Sequence, residues 1–308
     1  MKAFAEAPSK AIVTGEHFVV HGALALATAL PRRVHVEMKN ASSLTVSSDK
    51  FEKGSRQLVP VCRVVESMAK EHEVSSKVNV YISSDVPGGA GFGSSAATMV
   101  AVAAAFSELN SLSLRTDEIV RFAMVGEQSI HGRPSGIDPA VCAYGGVVLF
   151  KTGSPPKKVV LDGTRTLILS FSGIDRETRG QIGRVSKTKE KHPEVFSKLS
   201  EWVSELSREA AEKLRTGDGR GLGTLLTLNH VALMSLGVSC DALDGMVDLL
   251  LSLGSYGAKL TGAGGGGSVL AVAPEAKEKS IVSGLTARGF ETFKLRVPTE
   301  GVRSWSER

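Results

Sequence analysis

Aromatic side chains are scarce in this 308-residue chain: Phe, Trp and Tyr make up 5% of it. No stretch interleaves basic with aromatic residues, the pattern that single-stranded nucleic acid requires for stacking and backbone contact. A net charge of +5, from 37 basic and 32 acidic residues, is mild and spread along the sequence. Nucleic acid is therefore not an expected partner, while an anionic small ligand is compatible. Cysteine is also sparse. Cys62, Cys142 and Cys240 stand far apart without a C-x-x-C pair, which excludes a zinc framework, and an odd number argues against a disulfide scaffold. Each is expected as a small buried hydrophobe in a reducing compartment. No apolar run is long enough to span a bilayer. The N-terminus opens on strand-like sequence without the apolar core of a signal peptide. A cytoplasmic enzyme or binding protein, with no membrane partner, is the expectation.

Glycine, by contrast, is plentiful and clustered. The stretch Asp85 to Ala97 reads Asp-Val-Pro-Gly-Gly-Ala-Gly-Phe-Gly-Ser-Ser-Ala-Ala. It follows a strand-like run, Val78 to Ser83, and opens an Ala-rich run that reads as a buried helix. Glycines allow tight turns and close approach of backbone to a ligand. A helix N-terminus offers unpaired N–H groups and partial positive charge, so such a loop is a phosphate cradle. A purely structural turn is the competing reading. No lysine follows the last glycine, and the glycines fall at 89, 91 and 93, so neither the G-x-x-x-x-G-K-[ST] nor the G-x-G-x-x-G pattern is present. The second of these absences removes the dinucleotide oxidoreductases.

Hydrophobic residues at 42% and charged residues at 22% suit a globular protein with one large or two medium domains. Residues 3 to 38 read as strands and turns, with Pro31 separating Ala23–Leu30 from the alternating run 34–38. Helical periodicity marks 57–70, 94–109 and 116–130, with Thr116 as a cap. A loop, 131–139, leads through the apolar segment 140–143 to a strand at 146–150. Gly153, Pro155 and Pro156 mark a linker, so domains of 1–157 and 158–308 are expected. The second half reads as strands at 166–172, 257–261, 268–273 and 291–297 with helices at 178–191, 194–214, 222–234, 243–253 and 275–285. The mixture is α+β in layers.

Several polar residues admit two readings. Lys10, at the head of the apolar run Ala11-Ile12-Val13, is a solvated edge charge or a cation that neutralises a transferring phosphoryl group. Glu16 and His17 are turn polarity or site groups. Glu127 is a surface helix charge, and Asp138 a turn residue before Pro139, or the two are a metal ligand and a base beside the cradle. His131 lies one helical turn beyond Glu127 and could merely pair with it. The run Gly262 to Gly267, broken only by Ala263, is entropically costly to order, so close approach to backbone or phosphate is its expected reason.

Four segments fall in one order: Ala7-Pro8-Ser9-Lys10 through Gly15-Glu16-His17-Phe18-Val19-Val20-His21-Gly22, then Pro87 to Ala97, then His131-Gly-Arg-Pro-Ser-Gly-Ile-Asp138, then Leu260 to Gly267. Together they resemble the galactokinase, homoserine kinase, mevalonate kinase and phosphomevalonate kinase superfamily, and within it the mevalonate kinases, in a compact archaeal-type form. The resemblance implies a two-domain small-molecule kinase fold: a ribosomal-protein-like N-terminal domain, a ferredoxin-like C-terminal domain and an active site in the cleft between them. It implies ATP and mevalonate as ligands, with phosphorylation of the 5-hydroxyl of (R)-mevalonate in isoprenoid biosynthesis. Asp138 matches the family's catalytic aspartate and Lys10 the lysine beside it. Ser95 and Glu127 match the ligands of Mg²⁺. His17, with Glu16 next to it, matches the contact to mevalonate, and Ser135 falls in the same pocket. Pro87, Gly88, Gly89, Ala90, Gly91, Phe92, Gly93, Ser94, Ser95 and Ala96 would hold the nucleotide, with Gly264 flanking it. Thr178 is a weaker match to a threonine near the site. A homodimer is an expectation of the resemblance alone.

The match has departures. Ser9, Phe18, His21, Gly88 and Ser268 replace commoner residues, and Phe18 and His21 stand where they could reshape the acceptor pocket. Other readings therefore stay open: a kinase of the mevalonate 3-hydroxyl or of a sugar, or a nucleotide-binding sensor that keeps the fold without turnover.

Overall fold

A computed structural model describes residues 1–52, 54–86, 93–132, 134–175, 178–297 and 299–307. The side chains of His131, Thr178 and Arg179 are outside that description. Two sheets organise the chain. The first is built on β1 (Lys2–Thr14) and β2 (Ala25–Asn40), with β3 (Thr45–Ser48), helix α1 (Val59–Glu71) and β4 (Val78–Ser84) following. Helices α2 (Ser94–Leu109), α3 (Thr116–His131) and α4 (Ile137–Tyr144) come next, then β5 (Val147–Phe150) and β6 (Lys157–Val159). The second sheet contains β7 (Arg165–Phe171), separated by α5 (Thr178–Lys191), α6 (Pro193–Thr216), α7 (Gly219–Ser235) and α8 (Asp241–Ser252) from β8 (Gly257–Thr261). It is completed by β9 (Ser268–Val272), α9 (Glu275–Thr286) and β10 (Thr292–Val297). The last strand, β11 (Arg303–Glu307), returns to the first sheet and pairs with β1.

The first sheet runs β11-β1-β2-β4-β3, with β5 on the early part of β2 and β6 on β5; only β3–β4 is parallel. The second runs β10-β7-β9-β8, all antiparallel. In chain order that is 4-1-3-2, with helices between its first and second and between its third and fourth strands, which is the ferredoxin-like arrangement. The glycine run 262–267 is the hairpin connection between β8 and β9.

Both faces of β1 and β2 are covered, which is why these strands read as near-continuous apolar runs. Ala11, Val13, Leu26 and Leu30 join the main core, while Ile12, Ala25, Ala27 and Ala29 pack with Ile137, Ala140 and Val141 of α4. Helix α2 is apolar almost all round and is correspondingly buried between β1, β2 and α3. Among the described residues no helix is long and apolar enough to cross a membrane.

Several expectations need correction. Pro31 does not break the strand: β2 runs through it, because Pro31 and Arg32 form a bulge opposite the Pro8/Ser9 step and no ladder donor is required there. Within the expected strands and turns, Val19–His21 forms a single helical turn, closed by Gly22 in the left-handed region at φ 91°. Arg115, not Thr116, occupies the cap of α3, and its backbone N–H donates to Glu118 Oε2 at 2.9 Å. Asp138 lies in the first turn of α4, not in a loop. β6 spans the 157/158 position expected as a domain break and belongs to the first sheet, as does β11.

Candidate active site

The two sheets meet where β1 approaches β8 and the glycine hairpin. Lys10 lies on β1 and is only 3% exposed. A buried ammonium requires a counter-charge. Asp138 supplies it, with its Oδ1 2.8 Å from Lys10 Nζ and its side chain still one-third exposed. The carboxylate sits at the positive end of α4, where backbone N–H groups favour negative charge. Gly136, left-handed at φ 91°, turns the chain into that helix, and the Ile137 N–H donates to Ser135 Oγ at 3.3 Å. Ser135 thereby helps set the entry to α4, and its carbonyl accepts from Thr152 Oγ1.

The start of α2 lies over the same lysine. Gly93 caps the helix at φ 71°. A methyl group added there would sit 2.6 Å from Lys10 Cε, so only glycine lets the loop rest on the lysine stem. Ser94 begins the helix, its carbonyl accepting from Thr98 Oγ1 at 2.9 Å, and Ala96 turns into the core. Ser95 Oγ donates to Glu127 Oε1. Glu127 comes from α3, which packs along α2, and is 2% exposed. The pairing brings a hydroxyl and a carboxylate oxygen together at a helix N-terminus. Pro87, Gly88, Gly89, Ala90, Gly91 and Phe92 lie outside the described residues.

Glu16 is placed otherwise than expected. It is 1% exposed, with Lys259 Nζ on Oε1 and Asn229 Nδ2 donating to Oε2 at 3.1 Å. Its carboxylate is therefore committed to the interior and cannot contact substrate directly. Asn229 Oδ1 also accepts from the Gly15 N–H at 3.1 Å, so one amide holds both residues of the turn. His17, next in the chain, takes a left-handed backbone at φ 62°. Its Nε2 meets the Ala263 carbonyl at 2.8 Å, and burial pushes its imidazole below the ordinary range. Thr261 Oγ1 donates to the Ile12 carbonyl at 2.9 Å. These bonds sew the first motif to the β8 strand and its hairpin.

The hairpin glycines answer mainly to backbone. A side chain on Gly264 would strike the Val238 carbonyl, one on Gly265 the amide of Gln181, and one on Gly266 the carbonyls of Ile174 and Asp175. Gly264, expected beside the nucleotide, thus has an intramolecular reason to be glycine. Phe18 does not shape a pocket, being buried against Phe196 at 5.6 Å, while the partly exposed His21 packs against the same ring at 5.1 Å. Cys142 is wholly buried, and burial drives its thiol well above the usual range, which suits a core residue and not a nucleophile.

Three residues escaped sequence reasoning: Lys259, Asn229 and Gln181. Lys259 had a readable signal, a lone cation inside the apolar strand Gly257-Ala258-Lys259-Leu260-Thr261. It is 0% exposed. Asn229 and Gln181 sit in helices where polar residues are ordinary, so nothing local marks them.

A buried lysine paired to a carboxylate that is one-third exposed, beside a glycine-capped helix N-terminus, can neutralise phosphate charge while orienting a hydroxyl for attack. Comparison with known proteins gives that chemistry a family. Residues 60–146 match the family described as "GHMP kinases N terminal domain", and residues 210–291 match "GHMP kinases C terminal". The chain is 31% identical to the mevalonate kinase of Aeropyrum pernix, over 97% of each chain. It resembles the crystal structure of L. major mevalonate kinase in complex with R-mevalonate, with a TM-score of 0.82, 28% identity and 96% of each chain covered. The Methanococcus jannaschii mevalonate kinase structure aligns with a TM-score of 0.80 and 26% identity, over 96% of this chain and 98% of that one.

Proposed function

The chain belongs to the mevalonate kinases of the GHMP kinase family, and from that membership we propose that it transfers the γ-phosphoryl group of ATP to the 5-hydroxyl of (R)-mevalonate. The observation that carries the reading is the Lys10–Asp138 pair beneath the N-terminus of α2. Asp138 accepts or orients the proton of the attacking hydroxyl. Lys10 stabilises negative charge on the alkoxide and on the transferring phosphoryl. The loop ending at Gly93, with the N–H groups of Ser94, Ser95 and Ala96, receives the triphosphate. His17 and Ser135 lie on the acceptor side, while Glu16 acts from behind by holding the turn that carries His17.

Ser95 and Glu127 fit Mg²⁺: both offer hard oxygen donors, already adjacent at the mouth of the phosphate loop. Among the described residues no three His, Cys, Asp or Glu side chains gather around one point, so a cation here would draw its other ligands from phosphate and water. When bound it would neutralise charge on the phosphates. In this reading the enzyme serves isoprenoid biosynthesis in the cytoplasm.

The test is a coupled ADP-release assay over a panel of alcohols, with NMR of the product. Phosphorylation of mevalonate at the primary hydroxyl is expected. Transfer to the tertiary hydroxyl, to a sugar alone, or to none of them would overturn the assignment.

A further inference from the structure

Gln181 lies on the first turns of α5, pressed against the glycine hairpin so that a side chain on Gly265 would collide with its amide nitrogen. It is 6% exposed, and its Oε1 is buried without a hydrogen-bond partner among the described residues. Leaving a buried amide oxygen unmet is destabilising. Folds seldom retain such a group unless something outside the chain completes it. The neighbouring backbone offers little remedy: the groups closest to Gly264 and Gly266 are the carbonyls of Val238, Ile174 and Asp175, all acceptors. Oε1 requires a donor. A triphosphate presents acceptor oxygens and cannot serve, whereas a hydroxyl can. Position favours the acceptor side of the site, since Ala263, two residues before Gly265, is the residue that His17 Nε2 engages.

We propose that Gln181 is a specificity-determining residue for the acceptor alcohol, its side-chain oxygen accepting a hydrogen bond from a hydroxyl that does not react. This rests on the reading of the chain as a mevalonate kinase. Mevalonate has two hydroxyls, and with the primary one placed for phosphoryl transfer the tertiary one is the donor left for Gln181. A site built to bond a substrate hydroxyl discriminates strongly against an analogue lacking it.

The experiment compares wild type and Gln181→Leu on mevalonate and on 5-hydroxy-3-methylpentanoate, which lacks the tertiary hydroxyl. For Gln181→Leu, a rise of about tenfold or more in KM for mevalonate is expected, with KM for ATP and the melting temperature near wild type. On the analogue the two enzymes should be alike. An unchanged KM for mevalonate in an active enzyme overturns the proposal. So does a rise confined to KM for ATP, which would place the donor on the nucleotide, and so does an equal loss on the analogue, which would make the role structural. Failure of the wild type to phosphorylate mevalonate overturns the functional reading, and the proposal with it; that outcome is distinct because it appears before any variant is assayed.

Discussion

Gly93 rests on the stem of Lys10, at a distance that leaves no room for a methyl group. The last glycine of the phosphate loop and the cation of the first strand are thus one packing unit. Gly93→Ala would move Lys10 away from Asp138 and strain a backbone at φ 71°. A displacement of about 1 Å at a reacting group can cost about 100-fold in rate. Steady-state assays should show a fall of that order in kcat for a variant that remains folded by circular dichroism. Wild-type turnover would show that the contact is not needed.

Asp138→Asn keeps the shape of the side chain and removes its charge. Loss of a general base costs about 100-fold to 10,000-fold. Turnover should drop within or beyond that range while titration calorimetry still detects ATP. A variant with near-normal kcat would take Asp138 out of the chemistry.

Ser95 and Glu127 are bonded to each other, so they should act together on the metal requirement. Glu127→Gln and Ser95→Ala should each raise the Mg²⁺ concentration for half-maximal activity, and the double variant should fall short of the product of the two effects. Identical Mg²⁺ dependence in all four proteins would point to other ligands.

The buried ion pair of Glu16 with Lys259 makes a prediction about stability. Burial lowers the affinity of the Lys259 amine for its proton, and Glu16 pulls the other way. Removing one partner of such a pair leaves a charge stranded and costs about 3–5 kcal/mol. Glu16→Gln should lose stability on that scale in urea titrations. Glu16→Leu combined with Lys259→Met should recover much of it, because an apolar pair strands no charge. A double variant as unstable as the single one would contradict this account.

One buried and two partly buried imidazoles set an acid limit. Burial lowers the proton affinity of His17, His21 and His230; Lys189 adds to the effect at His21, while Asp244 opposes it at His230. Leu260 N–H donates to His230 Nδ1, which keeps that ring neutral with its other nitrogen toward Asp244. The folded values lie below the ordinary value near 6.5, so around that pH the unfolded chain binds more protons. Stability therefore falls as pH drops below about 6.5, before most carboxylates titrate. Urea midpoints measured at about pH 7.5 and about pH 5.5 should differ in that direction. Equal midpoints would mean that these rings titrate as freely as in the unfolded chain.

Much of the architecture was legible because period and punctuation agree. Helix α2 was readable to its ends, from the glycine before it and the apolar run within it. The strands at 257–261 and 268–273 were readable around their hairpin. The misreadings share a cause. Pro31 and the return of β11 are decided by what lies opposite them, and local pattern does not report an opposing strand. The site divides in the same way. Lys10, Asp138, Ser95 and Glu127 were named from motif order, and the fold brings them together as two bonded pairs. Glu16 was expected with His17 on the substrate side but turns inward, because Lys259 and Asn229, more than two hundred residues away, supply its partners.

By itself the sequence determined the layers, the glycine turns and the residue types that chemistry at a phosphate requires, since each depends on spacing within a few turns of chain. Only the tertiary structure decided which carboxylate faces the cleft and which is buried, which glycines yield to backbone rather than ligand, and which amide is left without a partner. Those outcomes depend on burial and hydrogen bonding between segments far apart in sequence, and a group's solvation is known only once its neighbours are in place.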